Sequence, residues 1–81
     1  MLELYQIENC SYCAKVRKKL MELQLDYIIR NEPAQGWKRE RLKKVAGQTI
    51  VPVLVDSEKS IVMPESSDIV EYLERTYGNK K

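Results

Sequence analysis

An 81-residue chain of 9.5 kDa has room for one small domain, residues 1–81. With 43% hydrophobic residues and 32% charged residues of mixed sign it should pack a core, which argues against a disordered tail or a coiled coil. A net charge of +2 without a clustered tail leaves no footprint for nucleic acid, and no apolar run nears the roughly 20 residues of a membrane span.

Leu2–Gln6 alternates Leu2, Leu4 and Gln6 against Glu3 and Tyr5, the period of a strand, and Glu8–Asn9 breaks it. Met1 to Asn9 holds two acids and no base, unlike a secretory leader. From Ser11 onward, Val16, Leu20 and Leu23 fall at helical spacing while Lys15, Arg17, Lys18 and Lys19 fill the other face. That pattern predicts a helix from Cys10 or Ser11 to Leu23. Asp26–Arg30 reads as a second strand, and Asn31-Glu32-Pro33 turns the chain. A helix is expected from Trp37 to about Val45, with Trp37, Leu42 and Val45 as its buried stripe and Gly47 as a left-handed C-cap. Val51–Asp56 is a strand with Pro52 at its start, Ser57–Lys59 a tight turn, and Ser60–Met63 a fourth strand that Pro64 stops. Ser66 or Ser67 is placed to cap a last helix, with Ile69, Val70, Leu73 and Tyr77 turned inward and Gly78 past its end. The order β-α-β-α-β-β-α predicts an α/β domain, a four-stranded mixed sheet flanked by three helices.

Histidine is absent and only two cysteines occur. There is no His base for a Ser or Cys hydrolase, and one chain cannot build a four-ligand Cys/His zinc site, so no metal site is expected. Without a secretory leader, two thiols suggest redox chemistry in a reducing compartment. Cys10-Ser11-Tyr12-Cys13 sits where the first strand passes into the first helix. Unpaired N–H groups and the positive end of the helix dipole favour a thiolate there, with Lys15 and Arg17 adding positive potential. Cys10 is then the nucleophile, and Cys13, one turn deeper, the resolving thiol. Two inert buried cysteines, or half of a metal or cluster site, are the competing readings.

These residues resemble the glutaredoxin branch of the thioredoxin superfamily over nearly the whole chain. Cys-Ser-Tyr-Cys matches that family's Cys-Pro-Tyr-Cys except at Ser11, and Ile50-Val51-Pro52 falls where it carries a loop with a cis proline. VPVLVD and PESSDIVEYLERTYG are also similar to the N-terminal domain of glutathione S-transferases. The resemblance implies a thioredoxin fold and a glutathione groove. In it Glu65 would face the γ-glutamyl ammonium, and Ser66 with the amides shared by Ser67 would hold the α-carboxylate. The Val51 backbone, beside Pro52, would pair with the cysteinyl part, and Tyr12 would flank the groove. Arg39 would meet the glycine carboxylate, although Lys38-Arg39-Glu40-Arg41 also reads as a solvated helix face. Two departures stand out: Ile7 replaces the lysine usual three residues before the first cysteine, and Ser11 replaces proline.

The expected function is a cytoplasmic, monomeric, glutathione-dependent thiol–disulfide oxidoreductase acting on disulfides and glutathione mixed disulfides of proteins, with no nucleic acid or membrane partner. A glutathione-ligated [2Fe–2S] carrier and a thioredoxin-like donor fed by a flavoprotein reductase are its alternatives. A full glutathione S-transferase is not expected, since 81 residues leave no room for its C-terminal helical domain.

Overall fold

The computed structural model describes residues 1–78. Strand β1 (Leu2–Gln6) leads into helix α1 (Ser11–Glu22), then β2 (Tyr27–Asn31) and α2 (Glu40–Ala46). Strands β3 (Val53–Asp56) and β4 (Ile61–Pro64) follow, and α3 (Ser66–Tyr77) closes the domain. The sheet order is β2-β1-β3-β4, with β1 and β2 parallel and the other two pairings antiparallel. This is the predicted mixed sheet with three helices. Its element order and strand pairing are those the resemblance implied.

Alternation along the strands builds two apolar layers. Leu2, Leu4 and Leu54 pack under α1 and α3 with Val16, Leu20, Ile69, Tyr72 and Leu73. Tyr5 and Val53, on the opposite face, gather Cys13, Leu42 and Val51. Helices α1 and α3 run the same way, because β1 and β4, the strands that lead into them, both lie antiparallel to β3; Lys19 Nζ of one meets Glu74 Oε1 of the other at 2.9 Å. Their N-termini therefore open at the same end of the sheet. The far end is pinned by Asp56, 1% exposed, whose Oδ2 accepts from the hydroxyls of Tyr72 (2.7 Å) and Tyr77 (2.5 Å).

Several boundaries differ from the sequence reading, each for a physical reason. The segment Gly36–Lys38 is a separate 3₁₀ turn, and α2 begins only at Glu40. Trp37 is accordingly 79% exposed rather than buried, its ring beneath Lys38 Nζ at 5.1 Å. The sheet ladder of β3 starts at Val53, because Pro52 has no N–H to give it. Ser60 has φ 56° and belongs to the turn rather than to β4. Neither Ser66 nor Ser67 caps α3. The cap position is Glu65, at φ 75°, and it makes no side-chain cap bond. Gly47, at φ 74°, does end α2 in the left-handed conformation that glycine adopts without penalty. No helix among the described residues is long and apolar enough to cross a membrane.

Candidate functional site

The first helix begins on a cysteine. Cys10 is its N-cap, in extended backbone, and its Sγ accepts the Cys13 backbone N–H at 3.4 Å. A sulfur thus takes the place that Ser or Asp usually fills, satisfying a helix-start donor that has no partner within the helix. Burial pushes the Cys10 thiol up. The backbone N–H and thiol of Cys13, the Tyr12 N–H and the Arg17 charge outweigh it, leaving Cys10 below the ordinary thiol value. Cys13 is fully buried, and burial drives its pKa to about 11; a bond with the Ile7 backbone opposes this, while the Cys10 bond and charge add to it. The two thiols are free and unequal, one shifted down and the other up.

Arg17 is the cation that reaches this site. Its guanidinium donates to Gln6 Oε1 and to the carbonyls of Ile7 and Glu8 (3.5 Å each), at the end of β1. Gln6 is itself 1% exposed and donates to Asn31 Oδ1 at 2.7 Å. The arginine is therefore tethered to the strand end below the thiols. Ile7, in place of the lysine expected from the resemblance, packs half-buried against the second apolar layer.

Between Tyr12 on α1, the segment before β3 and the start of α3 runs an open groove of about 500 Å³, within the range of small-ligand sites; neither cysteine is among its lining residues. Helix α1 supplies Tyr12 and Lys15, the segment before β3 supplies Gln48, Ile50, Val51 and Pro52, and the start of α3 supplies Glu65, Ser66 and Ser67. The Val51–Pro52 peptide is cis, as the resemblance implied. Ser66 is 8% exposed although it opens a helix, while Tyr12 is 61% exposed. Cys10 packs against the layer that contains Val51, at the head of the helix forming one wall.

Six of the seven predicted glutathione contacts share this groove: Tyr12, Val51, Pro52, Glu65, Ser66 and Ser67. Arg39 does not. It is 8% exposed, and its guanidinium donates to three backbone carbonyls: Pro33 (2.8 Å), Ala34 (2.9 Å) and Thr49 (2.9 Å). These bonds tie the β2–α2 loop to the segment that carries Val51. Arg39 is a clamp in the fold and stands outside the lining of the groove that holds the other six. Conversely, Gln48 and Lys15 line the groove, where the sequence reading had passed over Gln48 and had given Lys15 chiefly to the thiolate. The position of Gln48, four residues before Pro52 in a loop otherwise short of polar side chains, was its available signal.

Comparison with known proteins agrees with this geometry. The family profile described as "Glutathione S-transferase, N-terminal domain" matches residues 4–81. The chain belongs to that family. Glutaredoxin 2 of Escherichia coli (strain K12) is 33% identical over 81 residues, covering 95% of this domain and 34% of that protein. Among solved structures, glutaredoxin 2 from Salmonella typhimurium in complex with glutathione superposes with a TM-score of 0.79 at 27% identity, over 91% of this chain and 33% of that one. A glutathione S-transferase from Rhodospirillum rubrum F11 gives 0.82 at 32% identity, over 100% and 36%. A glutathione transferase homologue from a Drosophila species with bound glutathione gives 0.85 at 28%, over 96% and 36%. This glutathione S-transferase N-terminal domain spans about a third of the length of the curated relatives it matches. Its kinship points to glutathione-related thiol chemistry.

Proposed function

We propose that this domain holds glutathione in the groove and carries out glutathione-dependent thiol–disulfide exchange through Cys10. The observation that carries the proposal is the Cys10 sulfur as N-cap acceptor of α1, acidified, on the same helix turn as the groove residue Tyr12. Relatives solved with glutathione support the choice of ligand. In this reading Glu65 meets the γ-glutamyl ammonium, Ser66 and Ser67 receive the adjoining carboxylate, and the Val51 backbone pairs with the cysteinyl unit.

The Cys10 thiolate attacks the glutathionyl sulfur of a mixed disulfide. The S–S bond breaks, the partner leaves as a thiolate that takes a proton from water, and Cys10 becomes glutathionylated. A second glutathione thiolate then attacks the glutathionyl sulfur, forming oxidised glutathione and releasing the Cys10 thiolate. Alternatively Cys13 attacks Cys10 Sγ, expelling glutathione and forming the Cys10–Cys13 disulfide. Burial and a pKa raised to about 11 keep Cys13 protonated at neutral pH in the reduced domain, and this reading gives turnover to the glutathione route.

The test is glutathione-coupled reduction of a small mixed disulfide. Cys10→Ser should abolish turnover and Cys13→Ser should keep most of it; the reverse pattern would sink the proposal.

A further inference from the structure

We propose that the outer edge of β2 is an interface with a second copy of this chain, the two edge strands pairing antiparallel about a two-fold axis at Ile28. In place of the monomer expected from the sequence, the domain is then a concentration-dependent dimer. None of the residues involved lines the groove, so the inference stands apart from the reading of that site.

Strand β2 forms one edge of the sheet and pairs with β1 alone. The Glu32 N–H goes to Gln6 O, so the backbone groups of Ile28 and Arg30, at the same phase of the strand, also face β1. Those of Tyr27, Ile29 and Asn31 point the other way, out of the sheet. Two bonds agree with this phase and mark where the free edge ends: Leu25 N–H is given to Leu20 O, and Asn31 O accepts from Arg41. Between them, the N–H and C=O groups of Tyr27 and Ile29 make no bond to a loop or cap among the described residues. The same stretch exposes two β-branched apolar side chains, Ile28 at 37% and Ile29 at 47%. Such an edge is a template for another strand.

This edge is complementary to itself. Residues facing each other across a two-fold axis share a side of the sheet, so the axis must pass through a residue and few registers are open. An axis at Ile28 sets Tyr27 opposite the partner subunit's Ile29, where the outward backbone groups of each can bond the other, and the axis repeats the pair. Asn31 N–H then meets the partner subunit's Leu25 carbonyl, the two members of that pair not already engaged. Asp26 stands opposite the partner subunit's Arg30, so an opposite-charge pair lies on either side of the axis. Arg30 gives Nε to its own Glu3 and keeps its terminal nitrogens for a second carboxylate. The neighbouring registers lack this match. An axis at Ile29 sets Asp26 against the partner subunit's Glu32, one at Arg30 sets guanidinium against guanidinium, and one at Tyr27 leaves both charges unanswered. Charge therefore selects a second copy as the occupant, and the register with it.

The test is sedimentation of the reduced wild-type chain, with reductant present to exclude a disulfide-linked pair. The mass should be that of one copy at about 1 µM and approach twice 9.5 kDa at about 1 mM, as suits a small interface. Over that range amide exchange should slow at Tyr27 and Ile29, while Ile28, bonded within the sheet, stays level. Ile29→Pro deletes an N–H that β1 does not use and should hold the chain at one copy. Asp26 is exposed and precedes the strand; Asp26→Lys should weaken the dimer about tenfold at low salt, and the deficit should shrink as salt is added. A single-copy mass at about 1 mM overturns the proposal, as does a dimer that survives a folded Ile29→Pro. A dimer unweakened by Asp26→Lys overturns it too, and if Ile29→Pro does not fold, that variant decides alone.

Discussion

Tyr72 donates its hydroxyl to Asp56 Oδ2 at 2.7 Å, and Tyr77 donates to the same oxygen, so two residues of α3 lock onto one carboxylate at the end of β3. Burial raises the Asp56 pKa, but the two hydroxyls, with Lys59 and a backbone N–H, bring it below the usual carboxylate value. The phenol of Tyr72 is pushed up to about 12 by burial and by the carboxylate it serves. A depressed carboxyl stabilises the fold above its unfolded pKa, near 4, and that stability is lost as the pH falls through the lower folded value. Tyr72→Phe should cost about 1.5–3 kcal/mol, the worth of a hydrogen bond to a charged group. At this chain length that corresponds to a fall in melting temperature of several degrees. Asp56→Asn should flatten the acid limb of urea stability measured between pH 6 and pH 2. An unchanged limb in that variant would assign the acid sensitivity elsewhere.

The thiols should label in strict order. Cys10 should react with iodoacetamide with a midpoint below an ordinary thiol, and Cys13 should stay unlabelled until strongly alkaline pH or unfolding. The stability consequences have opposite signs. The lowered Cys10 pKa adds stability above the unfolded thiol value, lost as the pH falls through the folded one. The raised Cys13 pKa stabilises below the unfolded thiol value, and that is lost as the pH climbs toward about 11. Comparable labelling rates at neutral pH would refute the division of roles.

Arg39→Ala should hurt folding first and ligand binding second. Three carbonyls from two loops lose their donor together, and a loss of about 2 kcal/mol or more is expected. Arg39→Lys should rescue little, since one ammonium cannot span the three acceptors a planar fork reaches. Denaturant midpoints decide it: an Arg39→Ala chain of wild-type stability but weak glutathione binding would restore the ligand role.

Glu65 and Ser66 can be separated from helix stability. Because Glu65 holds φ 75° without a side-chain cap bond, Glu65→Gly should leave thermal stability level or slightly higher while glutathione binding falls. Ser66→Ala removes no capping bond, so a raised Michaelis constant for glutathione would report ligand contact directly. If both variants keep wild-type glutathione kinetics, the γ-glutamyl end lies somewhere else.

Much of this domain was readable in advance because its signals are local. Period-2 and period-3.6 patterns marked every strand and helix, and the Cys-x-x-Cys spacing needed only a strand–helix junction to acquire meaning. What escaped depends on distant backbone. Arg39 lies in a basic run that is chemically identical to a solvated face, and only the fold brings the carbonyls of Ala34 and Thr49 to it. Asp56 looked like the polar end of a strand, because nothing local announces that two tyrosines from α3 converge on it. Trp37 was misplaced for a simpler reason: a helical stripe was extended through a 3₁₀ turn that breaks its phase.

The sulfur that closes the first turn of α1 is also the atom that would be consumed in each exchange. While it is a thiolate it is a strong acceptor for the Cys13 N–H; once it joins an S–S bond, that acceptor weakens sharply. Catalytic progress and the tightness of the helix start are then one variable. The amide proton of Cys13 becomes an intrinsic reporter, its resonance and exchange rate following the charge on the neighbouring sulfur through each turnover. Tyr12 and Lys15 ride on that same turn, so a bound thiol would feel the groove wall loosen when its own sulfur is captured and firm again on release.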